Sequence, residues 1–255
     1  MHQEYRLVWF QHLQKAAGST IIQMAIQNDE TLFSVHENGN PCYPDGREIR
    51  LWEFNRQELA GFIDQCQDNG VTFVATEKAA PIFSVLSSDP RVCLITCLRD
   101  PLARFISHFY YSLYTGRTNV PSPEQFIDSI YISTMFNYYC RIFSRFHDNP
   151  SPVGKEQFDI ARANLSSFDC CVVLENNKPF TELNKLLSWK DMEIHANPTR
   201  PDFITILKFL IKGKINLILR QITHPRKGPT NDFSKLFKEK NKWDYNLYQI
   251  FNKTA

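Results

Sequence analysis

A lysine, a glycine and two hydroxyl side chains stand close together near the start of the chain, in FQHLQKAAGSTI (residues 10–21). Apolar residues run into this segment and follow it, which predicts a buried strand, a turn and then a helix. The first turn of a helix offers unpaired N–H groups and the positive end of the helix dipole. Lys15 adds a charge, Gly18 allows close approach, and Ser19 and Thr20 add donors. The segment therefore predicts a phosphate or sulfate site.

A second candidate anion site lies in ITCLRDPLARFISHFYY (residues 95–111). Arg99 is expected at the carboxyl end of a strand, the edge at which parallel α/β sheets bind ligands. Ser107 follows about two helical turns later, so both side chains can face the same side. A guanidinium fork and a hydroxyl together suit a phosphate monoester. Arg104 lies on the same predicted helix and can equally be a structural brace.

The order of residues in the first segment differs from the Walker loop of nucleotide kinases, GxxxxGK[ST]. Lys15 comes before Gly18, and no glycine precedes the lysine. The segment instead resembles the 5′-phosphosulfate loop of sulfotransferases that use 3′-phosphoadenosine 5′-phosphosulfate (PAPS), in particular the carbohydrate type, H-x-x-K-T-A-G-T-[ST]. The second segment is similar to the LRDPxxRxxSxxY motif with which that family binds the 3′-phosphate.

Further likeness covers most of the chain but mixes two branches of the family. HPRKGPTNDFSKLF (224–237) resembles the RKG segment of cytosolic sulfotransferases, although Asn231-Asp232-Phe233 stands where that branch has Gly-Asp-Trp. NPT (197–199) is also similar to that branch. The likeness to the carbohydrate branch continues in FNYYCRIF (136–143), VVLE (172–175) and WDYNLYQIF (243–251). This mixture leaves the acceptor open.

The resemblance implies that the chain is an enzyme, a sulfotransferase that uses PAPS without a metal ion and releases 3′-phosphoadenosine 5′-phosphate (PAP). It implies that the donor is held by residues of all three segments, namely Lys15, Ala16, Ala17, Gly18, Ser19, Thr20, Arg99, Ser107, Arg226, Lys227 and Gly228. Lys15 would also stabilise the charge that develops on the leaving phosphate.

Transfer to an acceptor also needs a group that removes a proton. The family usually places a histidine or glutamate after the strand that precedes the 3′-phosphate strand. Here that strand is VTFVAT (71–76), and Glu77 follows it. Glu77 is the predicted base, and the alternatives for it are an exposed loop residue or an ion pair with Lys78. His12 and His36 are two further candidates for the base.

Aromatic side chains and two irregular segments are expected to line the acceptor pocket. The tyrosines in question are Tyr110, Tyr111, Tyr114, Tyr138 and Tyr139, and the segments are 29–56 and 78–90. Such walls fit a saccharide and a compact polycyclic or heterocyclic metabolite equally well, so the predicted acceptor is a hydroxyl or amine of either class.

Two other functions remain open from the sequence. One is a nucleotide kinase-like phosphotransferase with a P-loop, and the other is a non-catalytic protein that binds PAPS or PAP. A dependence on Mg²⁺ and ATP distinguishes the kinase, because sulfuryl transfer should proceed in EDTA.

Apolar strands that alternate with helices position these residues. Strands are predicted at 5–11, 71–76, 91–98, 169–175 and 192–197, and helices at 19–28, 57–66, 100–114, 123–130, 134–146, 155–166 and 178–189, with a short helix ending near residue 87. The pattern predicts one α/β domain over residues 1–255, with a mainly parallel sheet flanked by helices. The resemblance makes this a P-loop-like PAPS-binding fold.

Composition narrows the function classes further. A net charge of +2, from 29 basic and 27 acidic residues, does not favour a nucleic-acid partner. The seven cysteines include no CxxC pair and suit reduced thiols in a cytoplasmic protein. No histidine and cysteine cluster has the spacing of metal ligands, and no apolar run is long enough to span a membrane. The segment 203–222 is predicted to be a buried helix pair or lid, an oligomer contact or a membrane-surface segment.

Overall fold

A computed structural model of the chain describes residues 5–127, 136–191 and 224–252. The strands in these ranges are β1 (Leu7–Gln11), β2 (His36–Glu37), β3 (Asn40–Pro41), β4 (Phe73–Thr76), β5 (Val92–Leu98) and β6 (Cys170–Val173). The helices are α1 (Gly18–Gln27), α2 (Arg56–Asp68), α3 (Phe83–Leu86), α4 (Pro101–Tyr114), α5 (Pro123–Phe126), α6 (Tyr138–Phe143), α7 (Lys155–Leu165), α8 (Thr181–Leu187), α9 (Asn231–Lys240) and α10 (Lys242–Phe251).

The central sheet contains four parallel strands in the order β4-β1-β5-β6. Alternate residues of β1 point to opposite faces, so Leu7 and Trp9 pack with α2, α3, α6, α7 and α10, whereas Val8 and Phe10 pack with α1 and α8. A third apolar cluster joins α4, α5 and α9. Both faces of the sheet are therefore covered, and the predicted α/β architecture with a parallel sheet is confirmed.

Buried polar side chains tie the three strands at the carboxyl edge of the sheet. Gln11 pairs with Thr76 of β4 on one side and with Thr96 of β5 on the other. Thr76 Oγ1 donates to Gln11 Oε1 (3.0 Å), Gln11 Nε2 donates to Thr76 O (3.0 Å), and Thr96 Oγ1 donates to Gln11 O (2.8 Å). These bonds hold the three strand ends level, so the loops after β1, β4 and β5 leave the sheet side by side.

Helices α6 and α10 cap each other's first turn. The two carboxylate oxygens of Asp244, which is 1% exposed, accept from the backbone N–H groups of Tyr139 and Cys140, both at 2.9 Å. In return, Asn137 Oδ1 accepts from the N–H groups of Trp243 (3.1 Å) and Asp244 (3.3 Å). Helix N-termini carry unpaired donors, and each of these two helices supplies the acceptors for the other.

Helix α6 supports two of the predicted anion-binding segments, 10–21 and 95–111, through hydrogen bonds to their backbone. Tyr138 Oη accepts from the Gln14 N–H (3.2 Å), and Tyr139 Oη donates to the Arg99 carbonyl (2.6 Å). The buried Arg104 guanidinium lies 4.0 Å from the centre of the Tyr138 ring, which agrees with its alternative role as a brace. The mutual capping of α6 and α10 therefore fixes the two tyrosines that support Gln14 and Arg99.

Several elements differ from the sequence prediction in extent. The predicted helix 134–146 is only 138–143 within the described residues, because Asn137 and Arg145 both have a φ of 56°. The predicted helix 178–189 is shortened to 181–187, between Lys178 (φ 52°) and Ser188 (φ 56°). Left-handed residues interrupt a right-handed helix and end both helices early. The predicted strand 169–175 is shortened to 170–173.

Other differences concern segments without a predicted element. The segment 29–56, predicted to be irregular, contains the β2–β3 hairpin, which is tied to β4 by the bond from Ala75 N to Gly39 O (2.9 Å). Helices α9 and α10 have no counterpart among the predicted elements. The predicted strand 192–197, the segment 203–222 and the predicted helical residues 128–130 and 134–135 lie outside the described residues.

Two further expectations concern the cysteines and the membrane. All seven cysteines lie in the described part of the chain, and no disulfide joins any two of them. Burial raises the pKa of the Cys66 thiol to about 12. Among residues 5–127, 136–191 and 224–252, no helix has the length and apolar character needed to cross a membrane.

We predict that Asp244→Ala lowers the free energy of unfolding by about 2–4 kcal/mol, because two buried N–H groups lose their acceptor. Urea denaturation at pH 7 measures this loss. The matched control is Asp68→Ala at an exposed position, which should stay within about 0.5 kcal/mol of the wild type. An equally small effect of Asp244→Ala would contradict the capping role.

A pH dependence of stability should accompany this cap. Burial raises the pKa of Asp244 from 3.8 to about 6, so between these values the Asp244 carboxyl binds more protons in the folded protein than in the unfolded chain. The contribution of Asp244 to the free energy of unfolding should therefore fall as pH rises from about 4 to 6. The difference between wild type and Asp244→Asn, measured across this range, isolates the contribution of Asp244. A difference that is constant with pH would show that Asp244 is not the titrating group.

Candidate functional site

The loop between β1 and α1 has a strained backbone. Lys15 (φ 65°) and Ala17 (φ 57°) are both left-handed, which costs a residue other than glycine about 1–2 kcal/mol. The bond from Ala16 N to Leu13 O (3.1 Å) closes a turn that contains Lys15 and ends just before Ala17. Helix α1 then begins at Gly18 without a side-chain cap on its first turn. The strained loop thus positions the uncapped N-terminus of α1 at the carboxyl edge of the sheet.

Gly18 is required by its contact with His12. A Cβ atom on Gly18 would lie 1.7 Å from His12 Nε2. His12 is 8% exposed, and its ring is stacked on Phe10 with the ring centres 5.5 Å apart, so the imidazole has little room to retreat. The first turn of α1 therefore rests directly on the His12 ring.

Four cationic side chains converge beside this loop: Lys15, Arg99, Arg117 and Arg226, here called the cation cluster. Arg99 Nη1 donates to the Lys15 carbonyl (3.3 Å), and Lys15 Nζ lies 4.2 Å from the centre of the Tyr111 ring. Within the described ranges, none of the four forms an ion pair with a carboxylate, whereas other arginines such as Arg91 do. Like charges repel, so an anion is the group that this arrangement can accept.

The pKa of Lys15 reflects the cluster. Burial lowers it to about 8, and Arg226, Arg99 and Arg117 contribute further in that order. Glu77 acts on this pKa in the opposite direction. A bound anion would favour the charged ammonium and raise this pKa again.

The 224–228 segment is held against α4 by two tyrosines. Tyr110 Oη donates to the Lys227 carbonyl (3.1 Å) and accepts from the Lys227 N–H (2.6 Å), and Tyr114 Oη donates to the His224 carbonyl (2.9 Å). The Arg226 guanidinium lies 5.5 Å from the centre of the Tyr110 ring. This segment comes from more than a hundred residues beyond α4, and the tyrosines bring Arg226 to Lys15 and Arg99.

The remaining residues of the predicted donor site lie along the same elements. Ser19 is exposed and Thr20 half-buried in the first turn of α1, and Ala16 is buried in the loop. Ser107 is buried two turns into α4, and no described hydrogen bond links it to Arg99. A Cβ atom on Gly228 would meet no protein atom within 4 Å, so packing in the described chain does not require glycine there.

Glu77 lies at the same edge, on the other side of the β1–α1 loop. Its backbone N–H donates to Asn40 Oδ1 (2.9 Å), which fixes it to the β2–β3 hairpin. Its side chain is 26% exposed. Burial raises the pKa of Glu77, and Glu48 and Glu37 raise it further. These three residues form the carboxylate cluster, in which Glu48 is also paired with Lys78.

The two candidate histidines have different surroundings. His12 Nδ1 lies 3.5 Å from Glu77 Oε2. Burial, followed by Lys15, lowers the pKa of His12 to about 4. The imidazole is therefore neutral at neutral pH, and the approach to Glu77 is a contact rather than an ion pair. His36 is exposed on the hairpin, and its Nδ1 accepts from the Gly39 N–H (3.3 Å).

The structure places four of the five tyrosines of the predicted acceptor wall in two groups, in addition to Tyr114 described above. Tyr138 and Tyr139 are 3% and 0% exposed, and their hydroxyls support Gln14 and Arg99. Tyr110 and Tyr111 lie on α4 and present their rings to the cation cluster. In the described structure, all four therefore contact residues of the three predicted donor-binding segments.

Several residues of the site have no counterpart in the sequence prediction. Arg117 lies outside every predicted segment, whereas Glu37, Asn40 and Glu48 lie in the predicted acceptor segment 29–56 but are not among the residues predicted for the site. The Thr-Gly-Arg sequence after α4 marks a helix end and could have indicated a chain reversal before Arg117. Nothing in the sequence indicates that the reversal returns Arg117 to Lys15.

Comparison of the chain with protein-family models and with curated proteins finds no match. Among the described residues, no group of three or more His, Cys, Asp or Glu side chains is arranged to hold a metal ion. The functional interpretation therefore depends on the sequence motifs and on the site itself, which combines an uncapped helix N-terminus, a cation cluster and a carboxylate cluster.

We predict that Gly18→Ala lowers the free energy of unfolding by about 1–3 kcal/mol, because the added methyl overlaps the buried His12 ring. The control is Gly61→Ala in α2, where a Cβ meets open space and where alanine should be neutral or stabilising. In the double variant His12→Ala/Gly18→Ala, the penalty for the added methyl should vanish. Additive effects in this cycle would show that the two residues do not conflict.

Proposed function

We propose that this chain is a sulfotransferase that moves a sulfuryl group from PAPS to a hydroxyl or amine of a small metabolite or saccharide. One observation carries the proposal: Lys15, Arg99 and Arg226 converge on the uncapped N-terminus of α1 without a carboxylate partner in the described structure. A donor with phosphates at two positions needs such separate cationic groups at one site. The resemblance of the three sequence segments gives the donor its identity.

The residues present suit this donor. The uncapped N–H groups of α1 and Lys15 would hold the 5′-phosphosulfate, since the loop brings donors and charge to one point. Arg99, Arg226 and the hydroxyl of Ser107 would hold the 3′-phosphate. Tyr139 bonds to the backbone of Arg99, and Tyr110 bonds to the backbone of Lys227 next to Arg226. Both arginines are therefore positioned before the donor binds.

The donor supplies an activated sulfur: as the acceptor oxygen or nitrogen bonds to it, the bond to the bridging oxygen of the 5′-phosphate breaks and PAP leaves with that electron pair. In the proposed enzyme, Lys15 would lie next to the leaving phosphate, and its ammonium would stabilise the charge that develops there. Glu77 would take the acceptor proton, and its raised pKa makes it a stronger base than an ordinary carboxylate.

The order of the strands supports this division of roles. β1 lies between β4 and β5, so its loop separates Glu77 after β4 from Arg99 after β5. In the proposed enzyme, the acceptor approaches from the β4 side, where the hairpin carries His36 and Glu37, and the nucleotide lies on the β5 side. The proposed fold is accordingly the P-loop-like sulfotransferase fold.

We predict that PAP raises the melting temperature, whereas adenosine 5′-phosphate does so far less, because Arg99 and Arg226 would contact the 3′-phosphate. A ligand at a hundred times its Kd stabilises the folded state by about 2.7 kcal/mol. Arg99→Ala should remove most of the difference between the two nucleotides. Arg162→Ala, at an exposed position on α7, serves as the control. Equal shifts with both nucleotides in the wild type would argue against a 3′-phosphate site.

We predict that Glu77→Gln lowers kcat by roughly 10²–10⁴ once an acceptor is identified, because glutamine cannot take the proton. The wild-type rate should rise with pH through the raised pKa of Glu77 and then level off, and the variant should lose this dependence. Affinity for PAP should stay near the wild-type value.

The exposed Glu156 on α7 provides the matched control, since Glu156→Gln should leave kcat and its pH profile unchanged. If Glu77→Gln keeps kcat within threefold of the wild type, another group removes the proton, and His12→Ala and His36→Ala become the variants to compare.

A further inference from the structure

Arg117 belongs to the cation cluster but to none of the motif segments. Helix α4 ends at Tyr114, and Gly116 takes a φ of 76°. The Arg117 N–H then donates to the Ser112 carbonyl (2.8 Å), and the Gly116 N–H donates to the Leu113 carbonyl (3.2 Å). This left-handed turn reverses the chain after the helix, so Arg117 lies back along the last turns of α4.

The reversal puts two cations on one aromatic ring. The Arg117 guanidinium lies 5.0 Å and Lys15 Nζ lies 4.2 Å from the centre of the Tyr111 ring. In the described chain, no carboxylate pairs with Arg117, although exposed arginines elsewhere, such as Arg47 and Arg50, do have such partners. The Tyr111 ring attracts both cations, and among the described residues neither forms an ion pair that would offset their mutual repulsion.

Arg117 is separate from the cations assigned to the 3′-phosphate. In addition to burial, the charge of Arg99 lowers the pKa of Arg226, and the Arg226 guanidinium lies over the Tyr110 ring. The charge of Arg117 instead adds to burial in lowering the pKa values of Lys15 and His108. Tyr110 and Tyr111 are neighbours on a helix and point about 100° apart. Lys15 is thus the shared member of two groups, one with Arg99 and Arg226 and one with Arg117.

We propose that Arg117, together with Lys15 on the Tyr111 ring, binds the terminal sulfuryl oxygens of the donor, so that the site distinguishes PAPS from its product PAP. This inference rests on the proposed function and adds a residue that contacts the reacting group. A planar guanidinium presents several N–H donors and fits a group with several anionic oxygens.

The carboxylate cluster indicates that the anion at Arg117 comes from the donor and not from the acceptor. Glu37, Glu48 and Glu77 all lie on the acceptor side of the β1–α1 loop, and Glu37 and Glu48 raise the pKa of Glu77. An acceptor with its own negative charge would be repelled there. The sulfuryl group lies next to the 5′-phosphate and is therefore the anionic group that Lys15 and Arg117 can share.

Calorimetric titration of PAPS and of PAP in the absence of acceptor tests the proposal. In Arg117→Ala, the Kd for PAPS should rise about tenfold, the lower end expected for one charge-assisted contact at an exposed residue, and the Kd for PAP should stay within twofold. Arg117→Lys should recover part of the PAPS affinity. Arg226→Ala should weaken both nucleotides, and the exposed Arg162→Ala should change neither.

Equal weakening of PAPS and PAP in Arg117→Ala would overturn the proposal, because Arg117 would then contact a part common to both. Unchanged PAPS affinity would overturn it as well, and a raised KM for the acceptor alone would assign Arg117 to the acceptor. If the wild type binds neither nucleotide, the proposed function itself fails. That result is distinguishable from a failure of Arg117 alone, in which the wild type binds both.

Discussion

The hydrogen bonds of Gln11 to both neighbouring strands are the constraint on which the site depends. Gln11 is fully buried at the end of β1 and bonds to Thr76 of β4 and to Thr96 of β5. A buried polar network of this kind stabilises one register, since a slip of either strand would leave its groups unpaired. The three following loops then begin at one level, which brings Lys15, Glu77 and Arg99 to the same edge.

Charge is separated across that edge. The cation cluster lies on the side of β5 and α4, and the carboxylate cluster lies on the side of β4 and the hairpin. Lys15 and Glu77, one from each cluster, shift each other's pKa through their opposite charges. The reciprocal caps of α6 and α10 hold Tyr138 and Tyr139 against the loops after β1 and β5, so these supports of the site are themselves stabilised by buried polar groups. In the proposed enzyme, this division would let a negatively charged donor and its acceptor meet at Lys15.

The local part of this arrangement could be predicted from the sequence. The strand, turn and helix around Lys15 and Gly18 are encoded in consecutive residues, and the position of Arg99 after β5 follows from one apolar run. The long-range part could not be predicted. No local pattern indicates that Gly18 must accommodate the His12 ring, that Tyr139 supports Arg99, or that Arg117 returns to Tyr111. Residue type alone assigned Tyr138 and Tyr139 to an acceptor wall, whereas in the fold their hydroxyls bond to backbone groups beneath the loops.

The most direct test of the central claim is the transfer of ³⁵S-labelled sulfuryl groups from PAPS to a panel of hydroxyl and amine acceptors in the presence of EDTA. The account predicts that label reaches at least one acceptor with release of PAP, and that Lys15→Ala abolishes this transfer. Absence of label on every acceptor, combined with Mg²⁺-dependent phosphoryl transfer from ATP by the same protein, would contradict it.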